Sequence, residues 1–236
     1  MLLSVDIVLP CYNPNSNWHN ALIDFYAITK DLYSLNFIIV NDGSTNANVE
    51  NHIHYLQQQN IPLQYLSYEK NKGKGYALRQ GVSASSAYFI VYTDIDFPFT
   101  NKSTIGVIEA LLNEEADVIA GYRNQNYYQK SMSTYRRLLS KAFRFFISRV
   151  LKMKITDTQC GLKGFNQKGK VKFLETTINR YLFDFEFIYA CGRDKRTKIN
   201  SVPVELKENI VFSKIKLKNF IQETINLVMI LLFKKG

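Results

Sequence analysis

The stretch Tyr88-Phe89-Ile90-Val91-Tyr92-Thr93-Asp94-Ile95-Asp96 decides how this chain folds. Tyr88 to Tyr92 is an apolar and aromatic run without polar alternation, the pattern of a strand buried on both faces. It is too short for a helix and ends abruptly in a polar Thr-Asp-Ile-Asp. Strands of this kind belong to parallel sheets covered by helices, and ligands in such sheets gather beyond the strands' carboxyl ends. Two carboxylates one residue apart therefore sit where that architecture places a ligand.

Working outward, Val5 to Pro10, Asn36 to Val40, Leu63 to Tyr68 and Asp117 to Ala120 read as further strands. Helical patterns fall between them, over Trp18 to Leu32, Asn46 to Gln59, Gly75 to Ala84 and Ser103 to Asn113. Alternating strands and helices imply right-handed crossovers and an α/β fold with a mostly parallel sheet. After Gly121 the pattern changes. Ser131 to Lys154 has helical periodicity with seven basic residues and no acid. A polar loop, Thr156 to Gly169, precedes a helix near Lys170 to Thr177 and a mixed segment around Phe183 to Cys191. A strand near Val202 to Leu206 and a helix from about Leu217 complete the chain. No linker or repeat interrupts it, so residues 1–236 are expected to form one domain.

The net charge of +10, from 30 Lys+Arg against 20 Asp+Glu, points to an anionic partner: nucleic acid, membrane surface or phosphorylated substrate. No nucleic-acid recognition motif of the usual kinds occurs, and the charge gathers on amphipathic helices, so nucleic acid is not the expected partner. Cys11, Cys160 and Cys191 are too scattered for a disulfide framework and fit a reducing compartment. Three histidines, His19, His52 and His54, are too few for a zinc site, and the last two read as solvated. No leader peptide and no apolar run of about 20 residues is present, so contact with a membrane would be peripheral.

Asp94 and Asp96 can share one hard divalent cation, Mg2+ or Mn2+, which also takes diphosphate oxygens; alternatively they form a polar turn before the next helix. Asn41-Asp42-Gly43-Ser44-Thr45 follows another strand, where a carboxylate can meet a base or ribose, or simply close a turn. Pro10-Cys11-Tyr12-Asn13-Pro14 is a stiff loop whose Tyr12 can stack on a base, or a rigid connector. Asn71-Lys72-Gly73-Lys74-Gly75 opens a helix and can approach an anion, or be solvated.

Taken in order, PCYNP, NDGST, NKGKGYALRQG and TDID resemble glycosyltransferase family 2, within it the dolichyl-phosphate mannose synthase and bacterial polyprenyl-phosphate glycosyltransferase group. Gly121-Tyr122-Arg123, Asp157 to Phe165, Phe183-Asp184-Phe185-Glu186 and Ser213-Lys214 extend the resemblance to about residue 220. It implies an A-type glycosyltransferase fold, with residues 1–125 the nucleotide-sugar-binding half and 126–236 the acceptor half. It further implies that Pro10, Tyr12 and Asp42 hold the nucleoside, with Lys74 beside the donor. Asp94 and Asp96 would bind Mg2+ or Mn2+ at the diphosphate, Asp96 thereby serving catalysis. Arg123 would contact diphosphate or acceptor phosphate, Asp157 lie near the acceptor nucleophile, Glu186 near the sugar, and Lys214 against the leaving diphosphate. The sequence departs from the group where Pro14 replaces a usual Glu, which leaves the nucleotide open. Leu162-Lys163 replaces Phe-Arg and exchanges a bidentate fork for a point charge at the acceptor phosphate.

On a helical wheel, Tyr135, Leu138, Leu139, Ala142, Phe143, Phe146 and Val150 share a face opposite Arg137, Lys141, Arg144 and Lys152, a pattern that suits an anionic membrane surface or a core-packed surface helix. The expectation is a cytoplasmic enzyme at the membrane's inner face, transferring a sugar with inversion from a GDP- or UDP-sugar to a polyprenyl phosphate. The alternative is a peripheral enzyme extending a saccharide in cell-surface polysaccharide synthesis. A phosphate acceptor is already ionised, whereas a hydroxyl acceptor needs a base, for which Asp157 is the candidate.

Overall fold

The computed structural model describes residues 3–45, 48–123, 145–151, 153, 155–208, 226, 227 and 230. Its seven strands are β1 (Ser4–Cys11), β2 (Ser34–Asp42), β3 (Leu63–Tyr68), β4 (Phe89–Tyr92), β5 (Val118–Arg123), β6 (Lys163–Phe165) and β7 (Ile199–Val204). They form one sheet in the order β3-β2-β1-β4-β6-β5-β7. Every pairing is parallel except those of β6, which runs antiparallel between β4 and β5. The helices are α1 (Trp18–Thr29), α2 (Asn48–Gln58), α3 (Lys74–Ala84), α4 (Asn101–Leu112), α5 (Gln167–Leu174) and α6 (Phe183–Arg193), with a π-helical turn at Phe146–Val150.

Each face of the sheet carries its own core, as both-face-buried strands require. Val5, Ile7, Leu9, Phe37 and Ile39 point to one side, under Trp18, Leu22 and Phe25 of α1, Ile53 and Leu56 of α2, and Val107 and Leu111 of α4. Val8, Ile38, Val40, Ile90 and Tyr92 point to the other, under Ala77, Leu78 and Val82 of α3, Phe173 of α5, and Phe183 and Phe187 of α6. Glycine sets the closest approach of α3: a methyl on Gly81 would run into Val8 Cγ1 and lie 3.0 Å from Val40 Cγ2. Gly81→Ala is therefore expected to lower stability by about 1–3 kcal/mol through overpacking, despite alanine's better helix propensity. Urea denaturation checks this, and an unchanged or raised midpoint would contradict it.

Two expected elements are corrected. The polar loop over Thr156 to Gly169 contains β6, whose three residues are all buried. The mixed segment at Phe183 to Cys191 is helix α6, buried through nearly its whole length. His52 is half-buried rather than freely solvated: its ring stacks on His19 with centroids 4.0 Å apart, and Trp18 meets it edge-on. His54 is exposed as expected. Most of Ser131 to Lys154, and Ser213-Lys214, lie outside the described residues. In the described part of the first, Ile147 is buried and Phe145 and Arg149 are exposed. Near the C-terminus, Leu227 and Ile230 lie against the second core. Among the described residues, no helix is long and apolar enough to cross a membrane.

Candidate active site

The strand order reverses at β1. From there the chain builds outward to β2 and β3 on one side and places β4 on the other. A crevice opens at such a switch point, beyond the strands' carboxyl ends. The parallel strands all end on that edge. It gathers Pro10 to Asn13 at the end of β1, Asn41 to Thr45 at the end of β2, Thr93 to Asp96 after β4 and Arg123 at the end of β5.

The loops after β1 and β2 are tied to each other. Asn13 N donates to Ser44 Oγ at 2.9 Å, and Thr45 N donates to Asn13 Oδ1 at 2.9 Å. Asn13 adopts positive φ, 43°, for which asparagine is well suited. Pro10 is half-buried and Tyr12, just past the end of β1, is 52% exposed. Asp42 behaves differently. It is buried, and its carboxylate accepts from Asn71 Nδ2 at 2.9 Å, Lys72 N at 2.7 Å and Gly73 N at 2.9 Å. The residue expected to hold the nucleoside also holds the loop that leads into α3. That loop presses on Gly43, where φ is +69° and an added Cβ would come 2.6 Å from Asn71 N.

The N-terminus of α3 is already capped. Gly75 N donates to the Asn179 carbonyl at 2.8 Å, so this end does not present all of its amides to an anion. Arg79 donates to Ile178 O at 2.9 Å and to Thr176 Oγ1 at 3.3 Å, and also bonds Asn179 Oδ1. Glu186 grips the same loop from below. Fully buried, it accepts from Thr177 N at 3.0 Å, Thr177 Oγ1 at 3.0 Å and Ile178 N at 2.9 Å. Expected beside the sugar, Glu186 is placed where it positions the 176–179 segment.

Asp94 and Asp96 lie together, both partly exposed. The Lys74 ammonium pairs with Asp94 Oδ1. Burial pulls Lys74's pKa down, but the carboxylates of Asp94, Asp184 and Asp96 outweigh it and hold the ammonium above its ordinary value. Burial, and then the Asp94 charge, raise Asp96 above the ordinary carboxylate value. Gly161 roofs Asp94 and Lys74: a Cβ there would lie 3.1 Å from Asp94 Oδ2 and 3.5 Å from Lys74 Nζ. Among the described residues no group of three or more His, Cys, Asp or Glu could hold a metal. Two oxygen ligands under a glycine suit Mg2+ or Mn2+, which complete their shells with substrate phosphates and water.

Arg123 and Asp157 engage each other. Arg123 N and Nε donate to Asp157 Oδ2 at 2.8 and 2.9 Å, and a guanidinium NH2 donates to Oδ1 at 2.6 Å. Burial alone would raise the Asp157 carboxyl, but Arg123's hydrogen bonds and charge hold it below its ordinary value. Beneath them lies a cluster the motifs did not announce. Fully buried Lys163 donates to Asp184 Oδ1 at 2.6 Å and to the Cys160 carbonyl at 2.5 Å. The Tyr92 hydroxyl donates to the same Asp184 oxygen at 2.5 Å. Lys163, expected at an acceptor phosphate, is thus an internal brace for the loop carrying Gly161. A charged residue between Gly and Leu on one side and Gly and Phe on the other was the available signal for burial with a partner. Cys160 is no nucleophile, since burial pushes its thiol up to about 11.

The sequence model of glycosyl transferase family 2 matches residues 6–170, more than half of the chain. The chain is 25% identical over 204 residues to dolichyl-phosphate beta-glucosyltransferase of Dictyostelium discoideum, covering 80% of this chain and 62% of that one. It is 28% identical over 243 residues to a dolichyl-phosphate beta-glucosyltransferase of Trichomonas vaginalis, covering 96% and 70%. Against dodecaprenyl-phosphate galacturonate synthase of Rhizobium johnstonii it is 24% identical, covering 68% and 47%. The chain thus spans less than two thirds of the Dictyostelium relative and about half of the Rhizobium one. Its fold matches glucosyl-3-phosphoglycerate synthase of Mycobacterium tuberculosis, solved with Mn2+ and UDP-glucose. There the TM-score is 0.64 at 16% identity, over 98% of this chain and 78% of that one. The expected A-type glycosyltransferase fold is therefore observed.

Proposed function

The chain belongs to glycosyl transferase family 2, and we propose that it transfers a sugar with inversion from a nucleotide-sugar to a polyprenyl phosphate at a membrane surface. The observation that carries the reaction is the Asp94–Asp96 pair at the switch-point end of β4, with Gly161 over Asp94 and Lys74 paired to it. Mg2+ or Mn2+ held by Asp94 and Asp96 would supply charge stabilisation for the departing nucleoside diphosphate. Tyr12 and Pro10 border the base side of the crevice, and Lys74 and Arg123 border the phosphates. Lys214, outside the described residues, is assigned to the leaving diphosphate by resemblance alone.

The acceptor rests on two supports. Relatives named for dolichyl phosphate and dodecaprenyl phosphate match most of this chain. Independently, Asp157 is a poor general base, because its carboxylate is engaged by Arg123 and held below the ordinary value. An acceptor that needs deprotonation would lack its base here, whereas a phosphate monoester is ionised already. Asp157 then acts by aiming Arg123 at an anion. Asp157→Asn is expected to raise KM for the lipid phosphate about 10-fold or more while slowing turnover only a few-fold, since the loss falls on phosphate positioning rather than proton transfer. Steady-state rates with varied lipid check this. Turnover slowed by about a thousand-fold or more at unchanged KM would restore Asp157 as base and favour a saccharide acceptor.

The functional test is label transfer. The protein is incubated with Mn2+ or Mg2+, labelled GDP- and UDP-sugars and a polyprenyl phosphate in detergent, with Asp96→Ala in parallel. Label in the organic phase, absent from the variant, supports the reading and names the donor. Transfer only to a soluble saccharide supports the polysaccharide alternative. The basic segment Ser131 to Lys154 and the +10 net charge support attachment to an anionic membrane face on the cytoplasmic side.

A further inference from the structure

We propose that Lys74 is the resident counter-cation of the Asp94 carboxylate, and that a divalent ion enters by displacing it, so that metal and nucleoside diphosphate bind cooperatively. The inference rests on reading Asp94 and Asp96 as the metal ligands. It adds a role for Lys74 in setting when the metal binds.

Lys74 is oddly placed for a structural lysine. It is the first residue of α3, at the positive end of the helix dipole, where a cation is disfavoured. Its side chain is nonetheless only 25% exposed and is turned onto Asp94. What holds it there is acid from two directions: Asp94 and Asp96 after β4, and Asp184 from α6. Lys207 also feels Asp96, but burial lowers its pKa and its charge is shared with Asp24. Lys74 is the cation seated on the pair.

The geometry above the pair makes lysine and metal compete. Asp94 Oδ1 is taken by the ammonium, while Asp94 Oδ2 and Lys74 Nζ both lie under the Gly161 backbone. A divalent ion on Asp94 and Asp96 would share a carboxylate with a monovalent one, and the two repel. A nucleoside diphosphate changes the balance. It brings negative oxygens that can ligate the metal and receive the displaced ammonium, whose four-carbon stem pivots readily. Free protein should therefore bind the metal weakly, and the diphosphate should strengthen metal binding by more than simple ligation provides.

The test is Mn2+ binding, read from loss of the free Mn2+ electron paramagnetic resonance signal, with and without UDP. Wild type is compared with Lys74→Met, Lys74→Arg and Asp94→Asn. Without UDP, Lys74→Met is expected to bind Mn2+ about 10-fold tighter than wild type, and Lys74→Arg to stay as weak as wild type. The gain in Mn2+ affinity on adding UDP should shrink in Lys74→Met by a similar factor. Lys74→Gln serves the same comparison should the methionine variant not fold. Equal Mn2+ affinity of wild type and the uncharged variant without UDP overturns the exchange. Binding that survives unchanged in Asp94→Asn overturns the metal assignment itself, a separate failure.

Discussion

Replacing either carboxylate of the pair will cost most of the activity: Asp94→Asn or Asp96→Asn is expected to lower the rate of sugar transfer by about 10³-fold, roughly 4 kcal/mol of transition-state stabilisation. Asparagine keeps the volume and one oxygen but removes the charge that a hard divalent ion needs. The two losses should differ in kind. Asp94→Asn also frees Lys74 from its partner, so raising the Mn2+ concentration should recover little. Asp96 is the half of the pair that burial and the Asp94 charge already make harder to ionise. In Asp96→Asn the Asp94 ligand survives, and partial recovery at high Mn2+ is expected. Initial rates across a Mn2+ series check both. The control is Asp117→Asn at the opposite edge of the sheet, where Asp117 accepts from Asn166 Nδ2 and Lys198 N. It should leave transfer unchanged while lowering stability by about 1–2 kcal/mol. A rate within about 10-fold of wild type for either Asp94→Asn or Asp96→Asn would remove the pair from the chemistry.

The parts of this site that local pattern encodes were legible. The β1, β2, β4 and β5 strands announce themselves because both-face burial leaves near-continuous apolar runs, while β3, half-exposed at the edge of the sheet, is marked by Leu63, Tyr65, Leu66 and Tyr68. Asp94 and Asp96 follow directly from where β4 stops. What was not legible depends on partners distant in sequence. Lys163-Gly164-Phe165 has no strand pattern of its own; it is a strand because β4 and β5 flank it. Phe183-Asp184-Phe185-Glu186-Phe187 alternates with period two, as a strand would. It folds as a helix because both acids find internal donors and all faces can be buried. The motif residues divide the same way. Asp42 and Glu186 belong to recognisable elements, yet their oxygens accept backbone amides of segments 30 and 8 residues away. They hold the two segments that meet at the start of α3. Arg123 and Asp157, expected separately at phosphate and nucleophile, prove to be one unit.

The buried Lys163–Asp184–Tyr92 cluster offers the sharpest separation of stability from function. Lys163→Met leaves Asp184 in the core with only the Tyr92 hydroxyl among its described hydrogen-bond partners, and should destabilise the protein by about 3–5 kcal/mol. That is a large share of the roughly 5–15 kcal/mol typical of a domain. Adding Asp184→Asn removes the orphaned charge, and its amide oxygen can still accept from the Tyr92 hydroxyl, which burial keeps protonated. The double variant is therefore expected to regain about 2 kcal/mol or more over Lys163→Met, measured by urea denaturation. Activity should not return with it. Lys163 also holds the Cys160 carbonyl, and Cys160 precedes the glycine that roofs Asp94 and Lys74. Without that tether the 157–161 loop loses its fixed height over the acidic pair, so the stabilised double variant should still transfer sugar at least about 10-fold more slowly than wild type, at the cost a misplacement of the order of 1 Å imposes. A double variant that regains both stability and rate would show that Lys163 serves the core alone, and that the Cys160–Gly161 loop is held by its own turn.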